Sequence, residues 1–433
     1  MSPHRDQDSA DVIVVGAGPA GCTTAFHLAQ AGHDVLLLEK AVFPRDKICG
    51  DGLTPRAVKE LLALGVDVDG DGWVRTRGLR VHGPGYMFEQ PWLSVAPFPD
   101  FGLVRTRHDF DYLLARTATA AGARLLQGTK VTSPLMEART GRVAGVVAQR
   151  GGVTHTYRAP LVVAADGASS RLAVALGLQQ RKDRPMGVAV RRYYQAPHRN
   201  EDHLELWVGL QARDQRGRTY QPYGYGWVFP VGDGSFNVGA GTFHINRTSK
   251  NDHRMLFDDL IARLPAAWHF DDAHATSPVR GAPLPAGLNR HPQYIPGMLL
   301  IGDAAGVINP LSGEGIDYAM ESGRLTAETI TSARSRHTAA LREEVLLSYP
   351  DALRQAYGRY FTVGRLMIQA LSHPRIMKLF TTHIMSRSAL QPALVKLLGN
   401  LPDPHSKDAL DRVITALSRT APSAAPRASP GSR

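Results

Sequence analysis

A mixed α/β fold is predicted: a Rossmann-like domain, interrupted by an inserted antiparallel sheet and followed by C-terminal helices. Three observations predict it. A strand, a glycine-rich turn, a helix and a second strand follow one another in DVIVVGAGPAGCTTAFHLAQAGHDVLLLEK. Two later segments, LVVAADGASS and GMLLIGDAAG, each end an apolar strand in an acidic turn. Between them lie short runs with the alternation of antiparallel strands. At 433 residues the chain exceeds what one core usually supports, so coupled domains are expected.

The N-terminal element is the most specific. Val12 to Val15 reads as a buried strand, Gly16-x-Gly18-x-x-Gly21 as a tight turn, the next residues as a helix to about residue 31, and the run to Glu39 as a second strand. Gly16 makes the turn, Gly18 lets backbone approach a pyrophosphate, and Gly21 lets helix and strand pack closely. Pro19 and Ala20 open the helix whose positive end meets the phosphates. Glu39, 18 residues after Gly21, is spaced to accept hydrogen bonds from a ribose, with Lys40 beside it. A lone glycine turn is weak evidence; the ordered set specifies a dinucleotide.

In CGDGLTPRAV, one of only two cysteines, Cys49, stands between an Arg/Lys turn and the run Gly50, Asp51, Gly52. Thr54 and Pro55 then read as a helix cap and first helical residue. From about 181 to 290, GVAVRRYYQA, HLELWVGL and GSFNVGAGTF read as strands of a mostly antiparallel sheet. In PYGYGWVFP, Tyr225, Trp227 and Phe229 alternate along a strand and share one face. Such a slab suits a flat ring or an apolar chain; it also suits plain core packing. Near residue 300 an apolar strand ends at Asp303, and a loop leads through Gly313, Gly315 and Ile316 into a helix.

From Leu325 onward the chain is helical in pattern, and Arg365, Arg375, Lys378 and Arg387 alternate with apolar residues. That pattern has two readings, a helical cap over a substrate tunnel or peripheral contact with an anionic membrane. The tail SRTAPSAAPRASPGSR has a disordered composition.

Composition excludes several classes. With 43% hydrophobic and 21% charged residues the chain is a folding one, and two cysteines cannot build a disulfide framework. No HExxH, zinc spacing, GxSxG elbow or Walker A sequence occurs, so no metal site is expected. No run of 18 apolar residues is present, and MSPHRDQDSADV lacks the regions of a signal peptide; a cytoplasmic location, with peripheral attachment at the inner face of the membrane left open, follows as an expectation. The net charge of +11 fits an anionic membrane surface, nucleic acid or simply an Arg-rich genome. No nucleic-acid partner is expected from the motifs.

These pieces together resemble the FAD-dependent oxidoreductases of the p-hydroxybenzoate hydroxylase fold, a superfamily of monooxygenases, halogenases and isoprenoid reductases. RTRHDFDYLL supplies that family's Arg-aromatic-Asp pattern as Arg107, Phe110 and Asp111. The likeness covers roughly residues 10 to 335 and implies FAD. It places Glu39 on the adenosine ribose, Val131 of GTKVTS against adenine, Arg107 near the phosphates and Asp303 on the ribityl and phosphate region. Within the superfamily, FPRDKICGDGLTPRAV and PYGYGWVFP resemble the geranylgeranyl reductases, and NPLSGEGIDYAMESGRL looks especially like the actinobacterial menaquinone reductases of that group.

The resemblance implies an FAD-dependent reductase that saturates carbon-carbon double bonds of an isoprenoid chain, on a menaquinone tail, a geranylgeranyl group or a related polyprenyl lipid. Cys49 is then a candidate proton donor facing the flavin, or a packing or substrate-lining residue, and the aromatic face favours carbocation character. NADPH or another reductant is the implied electron donor; no second nucleotide fingerprint names it. A monooxygenase or halogenase acting on an aromatic small molecule remains the alternative. The expected segments are an FAD-binding domain over 10–180 and 291–335, a substrate sheet over 181–290, helices over 336–417 and a tail over 418–433.

Overall fold

The computed structural model describes residues 8–196, 201–245 and 252–401. The expected tail 418–433, and the part of the helical segment beyond 401, lie outside the described residues. A six-stranded sheet forms the first layer, in the order Tyr294–Ile295, Met298–Leu300, Leu161–Ala164, Val12–Val15, Val35–Leu38 and Arg124–Leu126. All its pairings are parallel except that of the edge strand Tyr294–Ile295. Val12 to Val15 and Val35 to Leu38 are buried at every position, which is why these strands are continuous apolar runs.

Parallel pairing sends the carboxyl ends of strands Val12–Val15, Leu161–Ala164 and Met298–Leu300 to one edge of the sheet, with Val162 opposite Met298. That edge is where ligands bind in open α/β sheets. Helix Pro19–Gln30 crosses helix Ile316–Arg334 there; a Cβ on Gly323 would lie 2.6 Å from the Ala20 carbonyl oxygen, so only glycine permits the approach.

The second layer is a seven-stranded sheet in the order Arg280–Pro285, Met186–Gln195, Ser235–His244, Gly224–Pro230, His203–Trp207, Gly78–Gly83 and Tyr86–Pro91. Its last two strands differ from the sequence reading, which kept residues 78–91 within the FAD-binding segment. Gly78–Gly83 pairs in parallel with His203–Trp207 and so covers what would be an open edge. Local alternation marks a strand but not a partner more than a hundred residues away.

Three C-terminal helices, Arg359–Leu371, Pro374–Leu379 and Gln391–Leu398, fold back over this sheet. Met385, Leu394 and Val395 join Trp227, Phe229 and Leu204 in one buried cluster. The Tyr360 hydroxyl donates to the Leu397 carbonyl at 2.6 Å and pins the last helix.

Candidate functional site

A cavity of about 510 Å³ runs from the carboxyl edge of the parallel sheet to the space beneath the C-terminal helices. Every residue assigned from the sequence to cofactor, catalysis or substrate lines it except Gly21, while Phe110 and Asp111 of the Arg-aromatic-Asp pattern do not. Gly21 lies under the turn: a Cβ there would fall 1.8 Å from the Gly16 carbonyl oxygen, so its role is close packing.

At the nucleotide end, Gly16 has φ +102°, and a Cβ on it would meet the Ala165 carbonyl oxygen at 2.4 Å. A Cβ on Gly18 would meet only the Arg107 guanidinium, at 3.9 Å, so this backbone faces open space. The following helix starts with Pro19 and no side-chain cap, which leaves its first amides for a ligand. Glu39 is buried and accepts from the amides of Ala17 at 2.9 Å and Ala41 at 3.0 Å. Arg107 forks onto Asp111 at 2.7 and 2.8 Å, and Arg45 reaches the same carboxylate at 2.6 Å. Burial pushes the Asp303 carboxyl up, opposed by the Lys47 ammonium and Arg107. An open glycine backbone, a helix N-terminus and this basic cluster fit the diphosphate of a dinucleotide such as FAD.

The Cys-Gly-Asp-Gly turn sits against the aromatic strand. Asp51 is fully buried at φ 66°. It accepts from the Arg107 amide at 3.2 Å, the Asn237 side-chain amide at 2.8 Å and the Tyr193 hydroxyl. Burial pushes its carboxyl up to about 6, with the Tyr193 and Asn237 hydrogen bonds opposing. Burial also raises the Cys49 thiol, opposed by the nearby Arg107 guanidinium, so the thiol is neutral at pH 7. The glycines have a reason that sequence alone did not show: a Cβ on Gly52 would lie 2.9 Å from the Phe229 ring, and one on Gly50 3.4 Å from Phe229 and Trp227.

Tyr225, Trp227 and Phe229 stand with successive ring centroids 6.3 Å apart. Across the ladder they face Gly241, Gly239 and Asn237. The two glycines make room for the rings; a Cβ on Gly239 would lie 2.2 Å from the indole of Trp227. The sequence reading missed Arg45, Lys47, Tyr193, Asn237, Glu314 and Asp317, all described within or against this site. Arg45 and Lys47 were visible as the Arg/Lys turn. Tyr193 and Asn237 carry no motif; they are cross-strand partners.

The FAD binding domain family matches residues 9–333. A menaquinone reductase of Mycolicibacterium smegmatis is 36% identical over 408 residues, covering 93% of this chain and 95% of the relative. A digeranylgeranylglycerophospholipid reductase of Methanopyrus kandleri is 33% identical over 365 residues, covering 83% and 90%. The chain belongs to the geranylgeranyl reductase family of FAD-dependent oxidoreductases. For this geranylgeranyl reductase family member, a solved geranylgeranyl bacteriochlorophyll reductase-like structure from Thermoplasma acidophilum superposes with TM-score 0.75 at 24% identity, covering 95% of this chain and 99% of that one. The flavin-dependent brominase Bmp2 follows with TM-score 0.71 at 19% identity, covering 94% and 98%. At these identities the two structures show a shared fold and carry no activity across.

Proposed function

We propose that this enzyme saturates carbon-carbon double bonds in the isoprenoid tail of a membrane quinone of the menaquinone type. The observation that carries this reading is the apolar half of the cavity. Beyond the aromatic strand it continues between Leu79, Val81 and Leu206 of the sheet and Met367, Phe380 and Leu394 of the C-terminal helices. An apolar chain gains about 0.8 kcal/mol per buried methylene in such a space. The menaquinone reductases, at 36% and 37% identity over nearly the whole chain, support the quinone tail over other prenyl lipids.

FAD, when bound and reduced, supplies the hydride equivalent. The Gly16 to Pro19 turn and Arg107 would hold its diphosphate, Glu39 its ribose, Val131 its adenine and Asp303 its ribityl region, and Gly313, Gly315 and Ile316 would complete the cofactor site. Tyr225, Trp227 and Phe229 orient the alkene and favour cationic character on it by about 0.5–2 kcal/mol. The proton comes from a protein group at this wall. Cys49, neutral and lining the cavity, is one candidate.

The outer faces of the same helices expose Leu366, Ile376, Leu379 and Ile384 beside Arg365, Arg375, Lys378 and Arg387. This pairing of apolar and basic groups suits the surface of an anionic membrane, from which the tail enters. Among the described residues no helix is long and apolar enough to cross a membrane.

The decisive experiment is anaerobic. The holoenzyme is reduced with dithionite or with NADPH and mixed with menaquinone or geranylgeranyl lipids, while flavin reoxidation is followed and products are weighed. Reoxidation with a product heavier by two hydrogens is expected. No saturation of any prenyl lipid, with O2-dependent hydroxylation or halogenation of an aromatic instead, would overturn the reading.

A further inference from the structure

Saturating an alkene takes a hydride equivalent and a proton, and the proton needs a source on the cavity wall. We propose that Glu314, which lines the cavity beside Asp317 at the start of helix Ile316–Arg334, is that acid, with Asp317 as its positioning residue. The inference rests on the isoprenoid-reductase reading above.

Glu314 and Asp317 both line the cavity, and Asp317 is 2% exposed. Both oxygens of Asp317 and Oε2 of Glu314 are buried and receive no donated hydrogen bond. The two carboxyl groups stand three residues apart and act on each other electrostatically. Ionised carboxylates only accept, and where no donor reaches their buried oxygens a proton on one of the pair relieves the cost of holding two charges there.

The surroundings favour that proton. Arg56 is the cation facing the pair, with Nε 3.9 Å from Asp317, and its guanidinium is committed to Glu321 at 2.8 Å and to the Asn400 carbonyl at 2.8 Å. One guanidinium thus faces three carboxyl groups, Glu314, Asp317 and Glu321, which together repel full ionisation. The remaining titratable neighbours are the phenols of Tyr318, Tyr360 and Tyr225, raised above their ordinary range by burial. Burial pushes both carboxyls upward, with repulsion from Asp317 adding to it at Glu314 and from Glu321 at Asp317, and Arg56 opposing at both.

The pair also stands where the alkene would lie. The Tyr225 hydroxyl donates to the Ser312 carbonyl, and a Cβ on Gly313 would lie 3.7 Å from that hydroxyl, so the loop carrying Glu314 is tied to the aromatic strand. Tyr225 is an electrostatic neighbour of both Glu314 and Cys49. Of these two groups, a carboxylic acid that stays protonated at neutral pH is the stronger acid and the better donor.

The step balances. The alkene π bond breaks; one carbon takes the hydride equivalent from reduced FAD and the other takes the Glu314 proton. Glu314 is left as a carboxylate near the positive end of its helix, and a proton taken up from solvent through cavity water restores it. The oxidised cofactor is reset by a nicotinamide donor or by two one-electron ferredoxin-class donors.

The test uses FAD-loaded Glu314→Gln, Glu314→Asp and Asp317→Asn. Infrared spectra of the oxidised wild type at pH 7 are expected to show a protonated carboxylic acid band that Glu314→Gln removes. In anaerobic single turnover, Glu314→Gln is expected to fall by about 100-fold or more with FAD content unchanged, and Glu314→Asp to recover part of the loss. Asp317→Asn, by removing the neighbouring negative charge, is expected to shift the alkaline limb of the pH profile to lower pH. Absence of the acid band, wild-type turnover in Glu314→Gln, or an unmoved limb in Asp317→Asn would each overturn the acid role. If Glu314→Gln does not accumulate as folded holoenzyme, Asp317→Asn decides alone. A wild type that saturates no prenyl lipid sinks the functional reading as well, whereas normal wild-type turnover with undiminished Glu314→Gln sinks the acid role only.

Discussion

Asn237 donates its side-chain amide to the Asp51 carboxylate at 2.8 Å. The same amide reaches the Cys49 carbonyl at 2.8 Å, and its oxygen accepts from Trp227 Nε1 at 2.9 Å. One residue on the inserted sheet therefore joins the Cys-Gly-Asp-Gly turn to the aromatic strand. The turn and the slab are held as a unit, which is what a site closing on a flat cofactor and a thin apolar chain requires.

Asn237→Ala removes these bonds inside a buried network. Each buried polar group left unpaired costs about 1–3 kcal/mol, so a total loss of about 2–5 kcal/mol is expected in denaturant unfolding. Alkene reduction should fall as well, because the turn bearing Cys49 loses its anchor. Unfolding at wild-type denaturant concentration would show that the network is not what holds the turn.

Tyr193→Phe gives a pH-dependent effect. Burial raises the folded-state carboxyl of Asp51 from 3.8 to about 6. Between these values the folded chain keeps a proton the unfolded chain has released, so this carboxyl's stabilisation is full below 3.8 and is lost as pH rises to about 6. The Tyr193 hydroxyl favours the ionised form, and its removal pushes the carboxyl higher still. The variant's stability deficit should therefore widen from about pH 4 to about pH 7, read from urea midpoints across that range. A deficit that does not change with pH would exclude this coupling.

Trp227→Ala tests whether the slab is a substrate surface. Truncating a buried tryptophan costs about 3–5 kcal/mol of stability, and here it also widens the cavity beside Gly50. The expected outcome is a shifted preference among prenyl lipids of different length and headgroup, measured as relative kcat/KM. An unchanged profile would make the aromatic face core alone.

Cys49 should be slow to alkylate at neutral pH and should speed up as pH rises, because burial holds its thiol above the ordinary range. Cys22 is buried and raised further, so labelling read by mass spectrometry reports on Cys49. Cys49→Ala should retain FAD and lower alkene reduction. An unchanged rate would leave it no role in turnover, and rapid alkylation at pH 7 would show a thiolate there.

The parts of the site that were legible are those whose chemistry is local. Gly16, Gly18 and Gly21 serve one turn and one helix start, so their spacing carries their meaning. The alternation of Tyr225, Trp227 and Phe229 likewise survives as a shared face, because strand geometry has period two. The pairing of Gly78–Gly83 with His203–Trp207 was not legible, since a parallel partner is chosen by which edge is open after the sheet assembles.

Sequence by itself determined the dinucleotide cradle, the return of an acidic strand end at Asp303 and an aromatic strand near residue 227. Tertiary structure alone decided how these meet. Tyr193 and Asn237 lie 142 and 186 positions from Asp51, and only cross-strand register brings them to it. Glu314 and Asp317 were equally silent, since a carboxyl group becomes a proton store only when burial and a like-charged neighbour make ionisation costly. Desolvation belongs to the folded interior, so the charge states on which the chemistry depends come into being with the fold.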